Sequence, residues 1–319
     1  MTSPLPLLFP SRLTRGDTIG LIAPASPPEV PERIDETIKR FTEYGFRMKP
    51  SKYVRERTDY LAGNDEQRAE DLNTMFADPE VKGIIAIRGG YGSCRLLPLL
   101  DYATIRANPK PLLGFSDITA LHAAFLVKSG LVTFHCPIAI RAFEPGNAAA
   151  LERVLMVGGY ASAQNGQSTD SPGLVLFSRE DATGAKLKTV VPGRASGQLI
   201  GGNMTCLLRM LATPYAPDFR GAILFLEDTG EKGYRVDGLF THLRLAGILP
   251  QLAGLILGQF DHPDAAEQVR IADVLQREGE RIGVPCVSGA PIGHFTEQIA
   301  LPHGARAELD AEKGTLTLS

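Results

Sequence analysis

The chain has 319 residues, 44% of them hydrophobic and 22% charged, with a formal net charge of −3. That is an ordinary globular composition, long enough for a sizeable core, and about 150 residues per domain points to two domains. No dense Lys/Arg cluster and no run of about 18 apolar residues occurs, so neither nucleic acid nor a membrane is expected as a partner. The N-terminal stretch is broken by Pro4, Pro6 and Pro10 and makes a poor signal peptide, so a cytoplasmic location is the expectation. Residues 17–26, DTIGLIAPAS, predict a first buried strand and a Pro/Ser loop. Residues 30–46 have helical periodicity, with Ile34, Ile38, Phe41 and Tyr44 on one face and Gly45 as a stop. RMKPSKYV suits a second strand. A helix with an Asn/Asp start signal follows over 64–81, its apolar face made by Leu72, Met75 and Phe76. Residues 82–92, KGIIAIRGGYG, predict a third strand that ends in a glycine turn. CRLLPLLDYATIRANPK is helical in part and broken near Pro98. PLLGFSD is a fourth strand, ITALHAAFLVKSG its helix stopped by Gly130, and LVTFHCPI a fifth strand over 131–138.

Apolar strands alternating with helices predict a parallel sheet covered on both faces, with working residues at the carboxyl ends of the strands. The pattern changes over 144–192, which reads as a connection. A second block runs from 195, through GAILFLEDTGEKGYRVDGLFTHLRLAGIL, to a strand-rich tail that turns at Lys313-Gly314. The expected domains are 1–150 and 193–319, joined by 151–192. Cys94, Cys136, Cys206 and Cys286 stand singly, without metal-ligand spacing, and read as reduced core thiols.

Ser116 stands where the fourth strand turns into its helix. It is either a helix cap or a nucleophile held out on a tight turn. A nucleophile needs a base and a group that orients the base. His122 lies about 120° around the same helix from Ser116 and is badly placed. His242 sits in an amphipathic helix and His262 in a polar loop, while His135 could line the pocket. That leaves His294 and His303; His294 belongs to a loop at a strand end, where a lone histidine is more often a surface residue. Glu227-Asp228 ends a buried strand, where a carboxylate must be paired or stay near solvent. The turn RGGYGS is not a dinucleotide fingerprint, but its glycines can bring backbone N–H groups close to a ligand. With the N–H of Asp117, one of them could bind an oxyanion.

Five blocks, IRGGYGSCRLLPLLDY, PKPLLGFSDITALH, GQLIGGNMTCLLRML, LFLEDTGEKGYRVDGLFTHLRLAGIL and GAPIGHFTEQIALPHGARAELD, together resemble the LD-carboxypeptidase A family of serine peptidases. The resemblance runs from about residue 15 to 310. It implies a flavodoxin-like parallel sheet in the N-terminal domain and a smaller mixed α/β C-terminal domain. It also implies Ser116 as nucleophile, His294 as base, Glu227 as its orienting acid, and the N–H groups of Gly90 and Asp117 as oxyanion hole. Gly89 is the alternative to Gly90. The implied reaction releases terminal D-Ala from the tetrapeptide stem of recycled murein in the cytoplasm. No metal or organic cofactor is implied, and members are commonly homodimers. Arg88 is the candidate for holding the leaving carboxylate, unless it is salt-bridged at its strand end. Microcin C immunity peptidases resemble the same blocks and use a Trp to recognise the nucleobase, whereas this chain has no Trp. An amidase or esterase with the same residues, and a non-catalytic two-domain binding protein, are the other readings.

Overall fold

A computed structural model describes residues 5–155, 174–179, 187–294 and 297–319. Much of the 151–192 connection therefore lies outside the described residues. The first half alternates strands β1 (Thr18–Ile22), β2 (Arg47–Pro50), β3 (Val81–Ala86), β4 (Leu112–Gly114) and β5 (Thr133–His135) with helices α1 (Arg33–Glu43), α2 (Asp65–Ala77), α3 (Ser93–Leu96), α4 (Tyr102–Ala107) and α5 (Thr119–Ser129). These five strands are all parallel, in the order β2-β1-β3-β4-β5. That is the flavodoxin-like order, whose ligand crevice lies beyond the carboxyl ends of the strands. Local chemistry sets the helix limits where the sequence marks them. Asn64 and Gln67 form a reciprocal capping box at the start of α2, and Gly130, at φ +66°, closes α5.

After α6 (Asn147–Leu155) come β6 (Val175–Phe177), β7 (Lys188–Val191), β8 (Arg194–Asn203), α7 (Met204–Leu208), β9 (Ile223–Thr229), α8 (Gly233–Leu245), β10 (Gly254–Asp261), α9 (Ala265–Ile282) and β11 (Cys286–Ser288). The chain ends with β12 (Leu301–His303), β13 (Arg306–Asp310) and β14 (Thr315–Leu318), the last two forming the tail hairpin. The second sheet has the order β6-β14-β13-β8-β9-β10-β11-β7. Its β8, β9, β10 and β11 are parallel, flanked by antiparallel strands. Strand β12 leaves this half and pairs antiparallel with β5, as the sixth strand of the first sheet. Its Pro302 is tolerated because the strand lies at a sheet edge.

Successive strand residues face opposite sides. Ile22, Ile84 and Leu112 meet Phe76 and Phe125 on one face of the first sheet. Leu21, Ile85 and Leu113 face the other way, into a core that also contains Phe225, Ile256 and Leu309 of the second half. The two halves thus share apolar core. Helix α5 is buried nearly all round, because it packs between the first sheet and the second half. Gly202 of β8 permits this approach, and Gly201 permits the close pairing of β8 with β9. A Cβ on Gly201 would lie 1.8 Å from the carbonyl oxygen of Phe225, and one on Gly202 would lie 2.5 Å from Oγ1 of Thr119. That same Thr119 hydroxyl accepts the backbone N–H of Asn203 at 3.0 Å.

Three histidines, His122, His135 and His303, are buried where β5 and β12 meet α5. The rings of His122 and His303 stack at 5.9 Å, and the ring of Phe225 closes on both His135 and His303. His122 is bonded to Oγ1 of Thr133 at 2.8 Å and to the carbonyl oxygen of Gly114 at 2.9 Å, which ties it to the end of β4. The candidacy of His303 as a base, and of His135 for the pocket lining, is corrected here. Both are core residues, because β12 folds back onto β5.

Burial lowers the imidazole of His303 to about 3 and that of His122 to about 4. The folded chain therefore holds fewer protons at these sites than the unfolded chain, whose imidazoles titrate near 6.5. Stability is expected to fall as pH drops below about 6.5, by up to about 1.4 kcal/mol per pH unit for each such histidine. Urea unfolding of His303→Leu between neutral pH and pH 5 checks this. The variant should lose stability with a slope shallower by one proton than the parent chain, and equal slopes would contradict it.

Candidate active site

Strand β4 ends at Gly114, at φ +157°, and Ser116 follows at φ +63°, a left-handed conformation that non-glycine residues rarely adopt. Among the described residues, neither the short turn Ser116–Ile118 nor α5 has a side-chain cap at its start. Instead the strained turn holds Oγ of Ser116 3.3 Å from Nε2 of His294. On the far side of the ring, Nδ1 of His294 donates to Oε2 of Glu227 at 2.8 Å. With the acid on Nδ1, the network assigns the proton there and leaves Nε2 free to accept from the serine hydroxyl. The ring of Phe115 lies 4.8 Å from the His294 ring and packs against it. The two halves thus supply one hydrogen-bonded series, Ser116 from the first and His294 and Glu227 from the second.

Glu227 stands in β9 and is fully buried. Burial raises its carboxyl group above the ordinary value, and the His294 hydrogen bond offsets only part of that rise. Its neighbour Asp228 has a different task. It accepts from Nδ2 of Asn203 at 3.0 Å, from both the backbone and the hydroxyl of Thr205, and from the N–H of Thr229. Asp228 thereby ties the end of β8 and the start of α7 to β9.

Asp117 follows the serine. Its buried carboxylate turns away from the cleft and accepts the N–H of Ser93 at 2.7 Å, which binds the glycine turn to the start of the serine's helix. Burial raises the Asp117 carboxyl above its ordinary value. The turn itself is pinned by Ser26. Its N–H donates to the carbonyl of Gly89 at 3.3 Å, and its Oγ accepts the N–H of Tyr91 at 3.2 Å. In a trans peptide the N–H points opposite to the C=O. The N–H of Gly90 therefore points away from Ser26. Gly89 has a separate role, because its α-carbon abuts the serine. A Cβ there would lie 3.0 Å from Cβ and 3.2 Å from Oγ of Ser116. Gly89→Ala is expected to lower kcat about 100-fold by displacing Oγ, with little change in Tm. Steady-state kinetics beside a melting curve checks this, and unchanged kcat would contradict it.

Gly89, Gly90, Ser116 and His294 line a cleft of about 420 Å³, within the range of small-ligand sites. Its walls carry three guanidinium groups, those of Arg33, Arg88 and Arg141. Nη1 of Arg88 donates to the carbonyl oxygen of Pro27 at 3.3 Å and lies 3.6 Å from the exposed carboxylate of Glu29. Arg88 is thus both a cleft residue and a strand-end ion pair. Arg33 and Arg141 did not stand out in the sequence, where each sits in an unremarkable polar context. Among the described residues no group of three or more His, Cys, Asp or Glu side chains is placed to hold a metal ion. No helix among them is long and apolar enough to cross a membrane.

A serine, a histidine and a buried carboxylate in series, near the carboxyl ends of the parallel strands of two sheets, have the geometry of a serine hydrolase. Residues 19–136 match the LD-carboxypeptidase N-terminal domain, and residues 196–309 the LD-carboxypeptidase C-terminal domain. The chain belongs to the LD-carboxypeptidase family. It is 35% identical over 317 residues to a probable murein peptide carboxypeptidase of Bacillus subtilis, covering 97% of this chain and 93% of that one. It is 32% identical over 303 residues to the murein tetrapeptide carboxypeptidase of Pseudomonas aeruginosa, covering 92% and 94%. Among solved structures, that of the immunity protein MccF in complex with glutamyl sulfamoyl guanosine is similar, with a TM-score of 0.86 and 26% identity over 98% of both chains.

Proposed function

We propose that this chain is a cytoplasmic serine carboxypeptidase that releases terminal D-Ala from murein tetrapeptides during peptidoglycan recycling. The observation that carries the reading is the Ser116–His294–Glu227 series, opening on a cleft walled by three guanidiniums. Nε2 of His294 takes the hydroxyl proton as Oγ of Ser116 attacks the carbonyl carbon before the last residue. Glu227 holds the ring and stabilises the imidazolium. The N–H groups of Gly90 and Asp117 receive the oxyanion, a role supported by the outward turn of the Gly90 peptide. His294 returns the proton to the leaving amine of D-Ala, and water then releases the acyl group by the same steps. Arg88 or Arg141 receives the leaving carboxylate, for which a guanidinium fork is well matched. Names of relatives that act on murein peptides support this substrate class.

The test is incubation with disaccharide-tetrapeptide and measurement of free D-Ala. Release that stops in Ser116→Ala supports the reading, and no release overturns it. The likeness to a structure holding a sulfamoyl nucleoside favours a second reading, cleavage of a peptidyl-nucleotide. Rapid hydrolysis of an aminoacyl sulfamoyl nucleoside with no D-Ala release would establish that one instead. A homodimer is the assembly proposed with either reading, and sedimentation equilibrium checks it.

A further inference from the structure

His294 lies outside regular secondary structure, between the end of β11 at Ser288 and the start of β12 at Leu301. Among the described residues no sheet ladder reaches it, although two residues earlier the carbonyl oxygen of Ile292 accepts the N–H of Gln259 at 2.9 Å. Its ring must meet Glu227 and Ser116 at once, on two different elements, and the first half of the chain supplies a further restraint. Nη1 of Arg141 donates to the backbone carbonyl oxygen of His294 at 3.1 Å. Four residues further on, the N–H of Gln298 donates to Oδ1 of Asn147 at 2.8 Å. Nδ2 of Asn147 donates in turn to the backbone carbonyl oxygen of Arg141 at 2.8 Å, which closes the set. Oε2 of Glu144 holds Nε of Arg141 at 2.9 Å and so sets the guanidinium plane.

The turn that bears these groups is shaped for the contact. Gly146 has φ +82°, and a Cβ on it would come 3.0 Å from Cγ of Glu297. A side chain there would meet both backbone strain and a crowded neighbour. Asn147 is fully buried and does not line the cleft. A buried amide satisfied on both its oxygen and its nitrogen is costly to disturb on either side.

We propose that Arg141 and Asn147 are positioning residues that clasp the chain at His294 and at Gln298, and so hold the His294 ring between Ser116 and Glu227. The catalytic consequence rests on the reading of His294 as the base. The clasp acts through the backbone, so loss of its Asn147 lowers turnover without weakening substrate binding. Arg141 also faces the cleft, whereas Asn147 does not, which makes Asn147 the cleaner probe.

The experiment compares Asn147→Ala and Arg141→Lys with the parent chain. The Lys variant keeps a cation at the cleft, but one ammonium cannot reproduce the fork that joins Glu144 to the His294 carbonyl. One readout is kcat and KM for D-Ala release. The other is the low-field proton resonance of Nδ1–H of His294 in the substrate-free protein, assigned by its disappearance in His294→Ala. Asn147→Ala is expected to lose about 10- to 100-fold in kcat with KM within about threefold. Arg141→Lys is expected to lose about 3- to 10-fold in kcat. In both, the resonance should move upfield or vanish by exchange. An unchanged resonance with kcat within about threefold in either variant, or a raised KM at constant kcat in Asn147→Ala, would overturn the proposal. If Asn147→Ala does not fold, Arg141→Lys decides. If the parent chain releases no D-Ala, the proposed function fails, but the resonance needs no substrate and still decides the clasp.

Discussion

Replacing Ser116 by alanine is expected to lower kcat by about 10⁴ or more while the chain stays folded. The argument is geometric. Oγ is the atom that the strained turn, the packing of Gly89 and the His294 ring all converge on. His294→Ala should cost about as much, and the double variant no more than either single one, because members of such a series act as a unit. Glu227→Gln should be milder, since an amide can still hold the ring while the charge that stabilises the imidazolium is gone. A further arm separates strain from chemistry. Ser116→Gly removes the same nucleophile but relieves a left-handed backbone, so it should melt higher than Ser116→Ala by an amount equivalent to about 1 kcal/mol. D-Ala release and thermal melting of the five variants provide the check. More than about a tenth of parental activity in Ser116→Ala would mean that the nucleophile is another residue.

Much of the first half was legible, because its strands are buried on both faces and read as unbroken apolar runs such as Ile84–Ile87. Its helices announce themselves by chemistry that acts over three or four residues, at Asn64 and Gly130. The site was legible for a related reason. Ser116, Glu227 and His294 each follow or end an apolar run, and polar groups at strand ends stand out against it. Their convergence was not legible from periodicity. It depends on how β8 approaches α5, through Gly202, whose purpose is an absent Cβ. Strand β12 was missed because three residues with a central proline read as loop, and its pairing with β5 spans more than 160 positions of sequence. That one misplaced strand also hid the nature of His303 and His135. Arg141 and Asn147 were passed over because RAFEPGN carries only turn signals, and a hydrogen bond to a distant backbone leaves no pattern in a sequence.

A tetrapeptide ending in D-Ala is expected to be cleaved at least about 100-fold faster than its L-Ala epimer. The prediction follows from how many points around the terminal residue the site can hold. The scissile carbonyl is fixed by Oγ of Ser116 on one side and by backbone N–H groups on the other. The terminal carboxylate is drawn to a guanidinium on the cleft wall, where Arg88 and Arg141 both stand. With the carbonyl and the carboxylate both fixed, the methyl group has a single direction left. Inverting the terminal carbon drives that methyl into the wall or pulls the carboxylate from its cation. Losing one charge-assisted hydrogen bond of about 1.5–3 kcal/mol corresponds to roughly 10- to 150-fold in rate, and a steric clash adds to it. A pentapeptide ending in D-Ala-D-Ala should also be poor, since its carboxylate lies one residue too far out. Arg88→Met identifies the cation. If Arg88 holds the carboxylate, kcat/KM for the D-Ala peptide should drop by about the same 10- to 150-fold and the preference between epimers should shrink. If Arg141 holds it, Arg88→Met should leave both nearly unchanged. Comparison of kcat/KM on the three synthetic peptides, in the parent and in Arg88→Met, measures all of this. Equal rates on the two epimers would mean that the cleft does not read carboxylate and methyl together, and the activity would then be that of a general amidase.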